Sequence, residues 1–253
     1  MMPRILLVED DPTTAEFLAT ATRALPAVVD IVATRAAGRA QAANIAYALW
    51  LVDAHLPDGD GAGLLAELRG LGLATPAIAH TAAREDEVHQ ALHAAGFDAV
   101  LVKPLDADAL RAAVATTLEN RRPARIAEAG PRRGEAPQGG ARLPTAGGDG
   151  DDAAHPAWDD AVALRALNGE RAHVDALRQL FLAELPAART LVAEAARSGD
   201  HAAMHAALHR LQASCGFVGA ARLQRAVQAL QQSPACGNAL AAFEARAQEL
   251  SPS

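Results

Sequence analysis

Four short apolar runs in the N-terminal half each lead into residues that can do chemistry. The runs are ILLV at 5–8, ALWLV at 48–52, AIAH at 77–80 and AVLV at 99–102. The residues that follow them are Glu9, Asp10, Asp11, Asp53, Thr81 and Lys103. If the runs are parallel strands, their carboxyl ends meet at one edge of the sheet, where ligands bind in open α/β folds. The spacing therefore predicts a crevice that holds several carboxylates, a hydroxyl and an ammonium.

Such a crevice suits phosphoryl transfer. Clustered carboxylates repel one another unless a cation or a proton neutralises them, and Mg²⁺ is the hard cation that a few carboxylates usually hold. Lys103 and Thr81 add a positive charge and a hydrogen-bond donor for phosphoryl oxygens. The alternative is that the acids cap helices, which accounts for Asp11 before Pro12 and for Asp106. Capping leaves Lys103 unexplained.

The elements that must position these residues divide the chain into three parts. Over residues 1–121, five apolar runs, including VVDIVA at 28–33, alternate with helical segments. This alternation predicts a doubly wound, five-stranded parallel sheet with helices on both faces. Residues 122–157 are rich in Gly, Pro and Ala and are interpreted as a flexible linker. Residues 158–253 contain only helical patterns and predict an all-α bundle, with breaks at Asn168-Gly169, Pro186, Gly199-Asp200, Gly216 to Gly219 and Ser233-Pro234.

Composition narrows the functional classes. The net charge of −7 argues against non-specific binding of nucleic acid, which needs a basic surface. Two cysteines, Cys215 and Cys236, form no disulfide framework, and no apolar run reaches the length of a membrane span. We therefore expect a cytoplasmic protein without nucleic-acid binding or membrane insertion.

His209 stands out in the C-terminal part. Its neighbours at helical spacing form an apolar stripe of Leu208, Leu211, Cys215 and Val218. At 100° per residue, His209 lies roughly 140° from the middle of that stripe, so it should face outward on a patch of small residues that another protein surface can approach. Two alternatives remain open: a structural histidine, or a metal site in the row His201, His205 and His209. The other histidines, including His80, are interpreted as surface or boundary residues.

The N-terminal motifs carry a resemblance to a known family. ILLVEDDP, WLVDAHLPDGDG, AIAHTA and VLVKP resemble the signatures of bacterial response-regulator receiver domains, which have a flavodoxin-like fold. The resemblance implies that Asp53 is the phosphoacceptor and that Thr81 and Lys103 contact the phosphoryl oxygens. It also implies Mg²⁺ held by Glu9, Asp10, Asp53 and the backbone carbonyl of His55. Val100 departs from the family, which usually has an aromatic residue there that swings inward on phosphorylation, so we expect a weaker surface change around residues 84–103.

A second resemblance covers about residues 158–233. HRLQASCGFVGA is similar to the motif of histidine phosphotransfer (HPt) domains, which implies that His209 is the phosphorylated residue. Gln212 stands where the family commonly has lysine, and Ala213 where it has glycine. Glutamine can donate a hydrogen bond to a phosphoryl oxygen but brings no charge.

Together these features predict a phosphorelay protein in which Asp53 accepts a phosphoryl group and His209 passes one to or from a receiver aspartate. The implied partners are a sensor histidine kinase and separate response regulators, or the receiver of a hybrid kinase. One alternative is a non-enzymatic adaptor whose bundle binds partners in response to phosphorylation. Another is an aspartate-nucleophile phosphatase, but His55 stands where such an enzyme wants a second acid.

Overall fold

The computed structural model describes residues 2–83, 85–103, 105–120, 156–167 and 169–250. Its N-terminal half contains a parallel sheet of five strands in the order β2-β1-β3-β6-β7. The strands are β1 (Arg4–Val8), β2 (Val28–Val32), β3 (Leu49–Asp53), β6 (Ala77–Thr81) and β7 (Ala99–Val102). Each lies within one residue of a predicted run at either end, so the doubly wound α/β fold is confirmed.

Five helices cover the two faces of this sheet. They are α1 (Pro12–Arg23), α2 (Arg35–Asn44), α3 (Gly61–Gly70), α4 (Asp86–Ala94) and α5 (Ala107–Glu119). Helices α1 and α5 share one apolar cluster with the side chains of Leu49, Leu51 and Ile78. Side chains of Trp50 and Val52 point to the opposite cluster, because successive strand residues alternate between faces.

A small antiparallel hairpin, β4 (His55–Leu56) and β5 (Gly59–Asp60), links β3 to α3. Gly61 follows it and packs so closely that a methyl group there would overlap the backbone oxygen of Asp53. The amide of Gly61 also donates to the carbonyl of Ala54 at 3.0 Å. The loop after β3 is thus held close to Asp53, which the sequence analysis identifies as a candidate site residue.

The described residues of the C-terminal part form helices joined by short connections, as predicted. Its helices are α6 (Asp160–Ala166), α7 (Arg171–Ser198), α8 (His201–Val218), α9 (Ala221–Gln232) and α10 (Gly237–Leu250). Apart from Pro156 and Ala157, the linker predicted at 122–157 lies outside the described residues. No helix within the described ranges is long and apolar enough to cross a membrane.

Two of the predicted helix breaks are wrong in detail. Helix α7 continues through Pro186, because buried side chains on both sides, Phe181, Leu185 and Val192, pack at helical spacing and outweigh the lost hydrogen bond. Helix α8 continues through Gly216 and ends at Gly219. Gly219 adopts a left-handed conformation with φ of +72°, in which a helix terminates readily at glycine.

The bundle packs directly against helix α1. Phe17 of α1 and Phe217 of α8 are both fully buried, and their rings stack with centroids 4.1 Å apart. The hydroxyl of Thr13 donates to Glu184 of α7 at 3.2 Å. The apolar cluster beneath α1 and α5 therefore continues without interruption into the core of the bundle.

Candidate active site

Asp53 lies at the carboxyl end of β3, the central strand of the sheet. One carboxylate oxygen accepts the backbone amide of His55 at 3.0 Å, and the other accepts the ammonium of Lys103 at 2.6 Å. Burial alone would raise the pKa of Asp53, but Lys103, with His80 and the His55 amide, lowers it to about 2. The carboxylate is therefore ionised, as a nucleophile must be.

Lys103 joins two strand ends. It follows β7, and its ammonium also donates to Glu9, after β1, at 2.7 Å. One ammonium cannot neutralise two buried carboxylates, so the pKa of Glu9 is raised by burial and by the charge of Asp53. Burial would lower the pKa of Lys103, but Glu9 and Asp53 raise it above its ordinary value. Glu9, Asp53 and Lys103, together with Asp10, form what we call the acidic crevice.

His80 is a component that the sequence interpretation placed wrongly. It is fully buried, not a surface residue, because it lies in register with Asp53 on the neighbouring strand and points to the same face. Its Nδ1 lies 3.4 Å from an oxygen of Glu9, and neither ring nitrogen has a hydrogen-bond partner among the described residues. Burial and Lys103 lower the pKa of His80 to about 3, so the ring is neutral. Strand alternation was the signal that could have found it.

The crevice fits a hard divalent cation. Its donors are the carboxylates of Glu9, Asp10 and Asp53, oxygens of the kind that Mg²⁺ prefers. All three already attract positive charge, since Lys103 bridges two of them and a guanidinium holds the third. Glu9 and Asp53 also form a compact potential ligand set with His80.

Thr81 lies at the carboxyl end of β6, beside β3. Its buried hydroxyl accepts the amide of Ala83 at 3.1 Å. Among the described residues, the lining of the crevice cavity does not include Thr81. Val100 lies two residues before the end of β7 and is half-buried. The weak surface change expected from Val100 stays a prediction.

Asp10 and Asp11 face the bundle. Asp11 caps α1 by accepting the amide of Thr14 at 2.7 Å, and the same oxygen accepts the hydroxyl of Ser214 at 2.8 Å. Asp10 accepts Nη1 of Arg210 at 2.9 Å. Burial raises the pKa of Asp10, and the Arg210 hydrogen bond opposes that rise. The helix-cap interpretation of Asp11 is thus correct, but the cap also anchors the other half of the chain.

His209 faces the crevice. A cavity of about 360 Å³ is lined by Asp53 and Lys103 on one side and by His209 and Ala213 on the other. The ring of His209 lies 5.1 Å from that of His55 and 6.1 Å from that of His205, measured between centroids. Burial, His55 and Lys103 lower the pKa of His209 to about 4. Its imidazole is therefore neutral near pH 7 and keeps a free lone pair.

His209 points away from the core of its own bundle, and the surface that approaches it belongs to the same chain. The small residues near it, Ala213 and Gly216, are buried, and Ala213 lines the cavity shared with the N-terminal half. Arg210 and Ser214, which the sequence analysis passed over, make the polar contacts. Arg210 and Ser214 follow His209 by one and five residues on the same helix, and this proximity was the signal in the sequence that could have found them.

We expect docking of the bundle to depend on pH through Glu184. Partial burial and the nearby charge of Asp11 raise its pKa to about 7, against the hydrogen bond from Thr13. A carboxyl whose pKa is higher in the docked state favours docking when it is protonated. The contribution of Glu184 to the free energy of docking is therefore lost as pH rises from about 4.5 to about 7. We expect Glu184→Gln to dock more tightly than the parent at pH 7.5 and equally at pH 4.5. Small-angle scattering of both proteins at each pH measures docking. Other titrating groups are the same in the two proteins, so their effects cancel in the comparison. Equal docking of the two proteins at pH 7.5 would contradict the prediction.

Comparisons with known proteins agree with this architecture. Residues 5–115 match the family model of the response regulator receiver domain, and residues 176–252 match that of the Hpt domain. The chain therefore contains a receiver domain and an Hpt domain, as the motifs indicated. A comparison with curated proteins finds no match.

Several solved structures resemble the N-terminal half. A CheY-like receiver domain protein from Methanospirillum hungatei is 28% identical, with 47% of this chain and 96% of that chain covered and a TM-score of 0.45. A two-component response regulator from Clostridium difficile is 23% identical, with 48% and 100% covered and a TM-score of 0.46. Full-length ShkA in complex with AMPPNP is 38% identical, with 46% and 24% covered and a TM-score of 0.41.

Proposed function

We propose that this two-component phosphorelay protein moves a phosphoryl group between its own Asp53 and its own His209. The observation that carries the proposal is the shared cavity, in which the ionised carboxylate of Asp53 and the neutral imidazole of His209 face one another. Neither half needs to search for the other, since the Phe17–Phe217 stack already holds α1 against α8.

The chemistry is balanced and reversible. When Asp53 carries the phosphoryl group, a ring nitrogen of His209 attacks phosphorus, the new P–N bond forms, and the acyl-phosphate P–O bond breaks. Asp53 leaves as a carboxylate, which Lys103 stabilises through the contact of 2.6 Å. Both phosphorylated forms are high-energy species, so transfer runs in either direction. Mg²⁺ held by Glu9, Asp10 and Asp53, with the carbonyl of His55, would supply the charge that neutralises the phosphoryl oxygens.

The roles of the remaining residues follow from their positions. Lys103 holds Asp53 and screens the incoming phosphoryl group. Thr81 would donate its hydroxyl to a phosphoryl oxygen once a rearrangement brings it to the cavity, whose lining does not include it in this structure. Gln212 is half-buried and offers an amide rather than a charge. Upstream, a sensor histidine kinase supplies the phosphoryl group to Asp53, and a separate response regulator or hybrid-kinase receiver exchanges it with His209.

Two full-length variants test the internal route without cutting the chain. Asp53→Asn keeps His209 but accepts nothing from a small phosphodonor, whereas His209→Gln keeps Asp53. The parent chain should acquire acid-labile, base-stable phosphate on His209. An equimolar mixture of the variants at about 1 µM should do so about a thousand-fold more slowly, because a tethered partner acts at an effective concentration of order millimolar.

His201→Gln is the matched control, since it removes an exposed imidazole of the same helix that does not line the cavity, and it should leave transfer intact. Equal rates in the parent and in the mixture would contradict the internal route. If Asp53 of the parent is labelled but His209 never is, the bundle does not take part in phosphotransfer, and the adaptor alternative is favoured.

A further inference from the structure

Arg210 brings a positive charge of the bundle into the acidic crevice. It follows His209 on α8, and its Nη1 lies 2.9 Å from Oδ2 of Asp10. The side chain of Asp10 is only 8% exposed, so its carboxylate has little water to compete with the guanidinium. The contact therefore joins the residue next to the phosphotransfer histidine to a carboxylate that a divalent cation would use.

The charges of the crevice show what this contact does. Three carboxylates, Glu9, Asp10 and Asp53, face Lys103 from their own domain and Arg210 from the other. Without Arg210 the site carries a larger negative excess, which is the condition that attracts a divalent cation. Asp10 has a second oxygen, so Arg210 does not block a cation sterically. It lowers the negative potential and repels the cation.

We propose that Arg210 acts as the bundle's substitute for a divalent cation at Asp10, so that docking of the Hpt domain and binding of Mg²⁺ oppose each other. The docked chain binds Mg²⁺ more weakly than the undocked chain. By linkage, Mg²⁺ must weaken docking by the same factor by which docking weakens Mg²⁺ binding. Binding of the metal therefore raises the fraction of molecules in which the bundle is undocked and the crevice is open to a phosphodonor.

The contacts around Arg210 limit the effect to a modulation. Ser214–Asp11, Thr13–Glu184 and the Phe17–Phe217 stack do not involve the cation ligands, so they hold the bundle when Arg210 is displaced. The Arg210 side chain is 41% exposed, and water screens its charge. We therefore expect a change in metal affinity of about three- to ten-fold rather than complete exclusion.

Metal binding to the full-length chain tests the proposal without any phosphodonor. Mn²⁺, a hard divalent cation with the same preference for oxygen ligands, is titrated while free Mn²⁺ is counted by electron paramagnetic resonance. Arg210→Gln should bind Mn²⁺ about three- to ten-fold more tightly than the parent. Arg222→Gln, which removes a guanidinium paired with Glu249 inside the bundle, is the matched control and should leave the affinity unchanged.

Docking is read separately by amide hydrogen exchange in α1 and α8, which reports the small fraction of undocked molecules. Saturating Mg²⁺ should speed this exchange about three- to ten-fold in the parent, and by less in Arg210→Gln. Equal Mn²⁺ affinity in the parent, Arg210→Gln and Arg222→Gln would overturn the proposal, as would an exchange rate in α1 and α8 that does not change when Mg²⁺ is added. Failure of phosphotransfer to His209 would leave both binding results standing, so the two proposals are distinguishable.

Discussion

Asp53→Asn is expected to abolish labelling of the receiver domain by a small phosphodonor such as acetyl phosphate, with a loss of at least about a hundred-fold, because a neutral amide is a poor nucleophile. The parent should be labelled only when Mg²⁺ is present, since the buried carboxylates otherwise repel a phosphoryl dianion. Intact-mass measurement after a fixed incubation, with Mg²⁺ or with a chelator, reads both effects.

Asp86→Asn is the matched control for this experiment. Asp86 is an exposed aspartate in the first turn of α4 that does not line the crevice cavity, so its replacement should leave labelling unchanged. Equal labelling of Asp53→Asn and the parent would remove Asp53 from the proposed site. Full labelling in the chelator would remove the metal from it.

Phe217→Ala is expected to separate the two domains. Truncating a fully buried phenylalanine costs about 3–5 kcal/mol, and this ring stacks on Phe17 of the other domain. The variant should have a larger radius of gyration, and transfer between Asp53 and His209 should fall at least about ten-fold as contact between the domains becomes intermittent.

Two further truncations separate docking from folding. Phe17→Ala removes the same stack from the opposite side, so combining it with Phe217→Ala should add little to the loss of docking. Phe243→Ala, buried in α10, should destabilise the bundle but leave the radius of gyration near that of the parent. A Phe217→Ala protein that stays as compact as the parent would show that the stack does not hold the domains together.

Most of the α/β unit could be predicted from the sequence because its signals are local. Apolar runs such as ILLV and AVLV can only be buried strands in this context, and the topology of a parallel sheet brings their carboxyl ends together. That reasoning brings Asp53 and Lys103 into the contact observed at 2.6 Å. It failed for His80 because a single polar residue at the end of an apolar run was interpreted by its own polarity instead of by strand alternation.

The docking of the bundle could not be predicted in the same way. Helical periodicity shows which face of α1 or α8 is apolar, but not which surface covers it. From the sequence, Phe17 cannot be distinguished from a residue of α1 that packs on the sheet. Phe217 falls outside the apolar stripe of Leu208, Leu211 and Val218. The pairing of two faces that lie two hundred residues apart, as in Asp10–Arg210, is a property of tertiary structure.

The coverage of α1 and the crevice by the bundle has a consequence for crosstalk. An outside kinase or regulator must compete with an occupant that is covalently attached, and its apparent dissociation constant is the intrinsic one divided by the fraction of open molecules. If about 1% of the chains are open, every outside partner binds about a hundred-fold more weakly than its own contacts would allow. Non-cognate donors with marginal affinity are then excluded, whereas a cognate donor needs only enough extra contact area to offset the factor. The attached bundle thus reduces binding of non-cognate donors to the receiver domain.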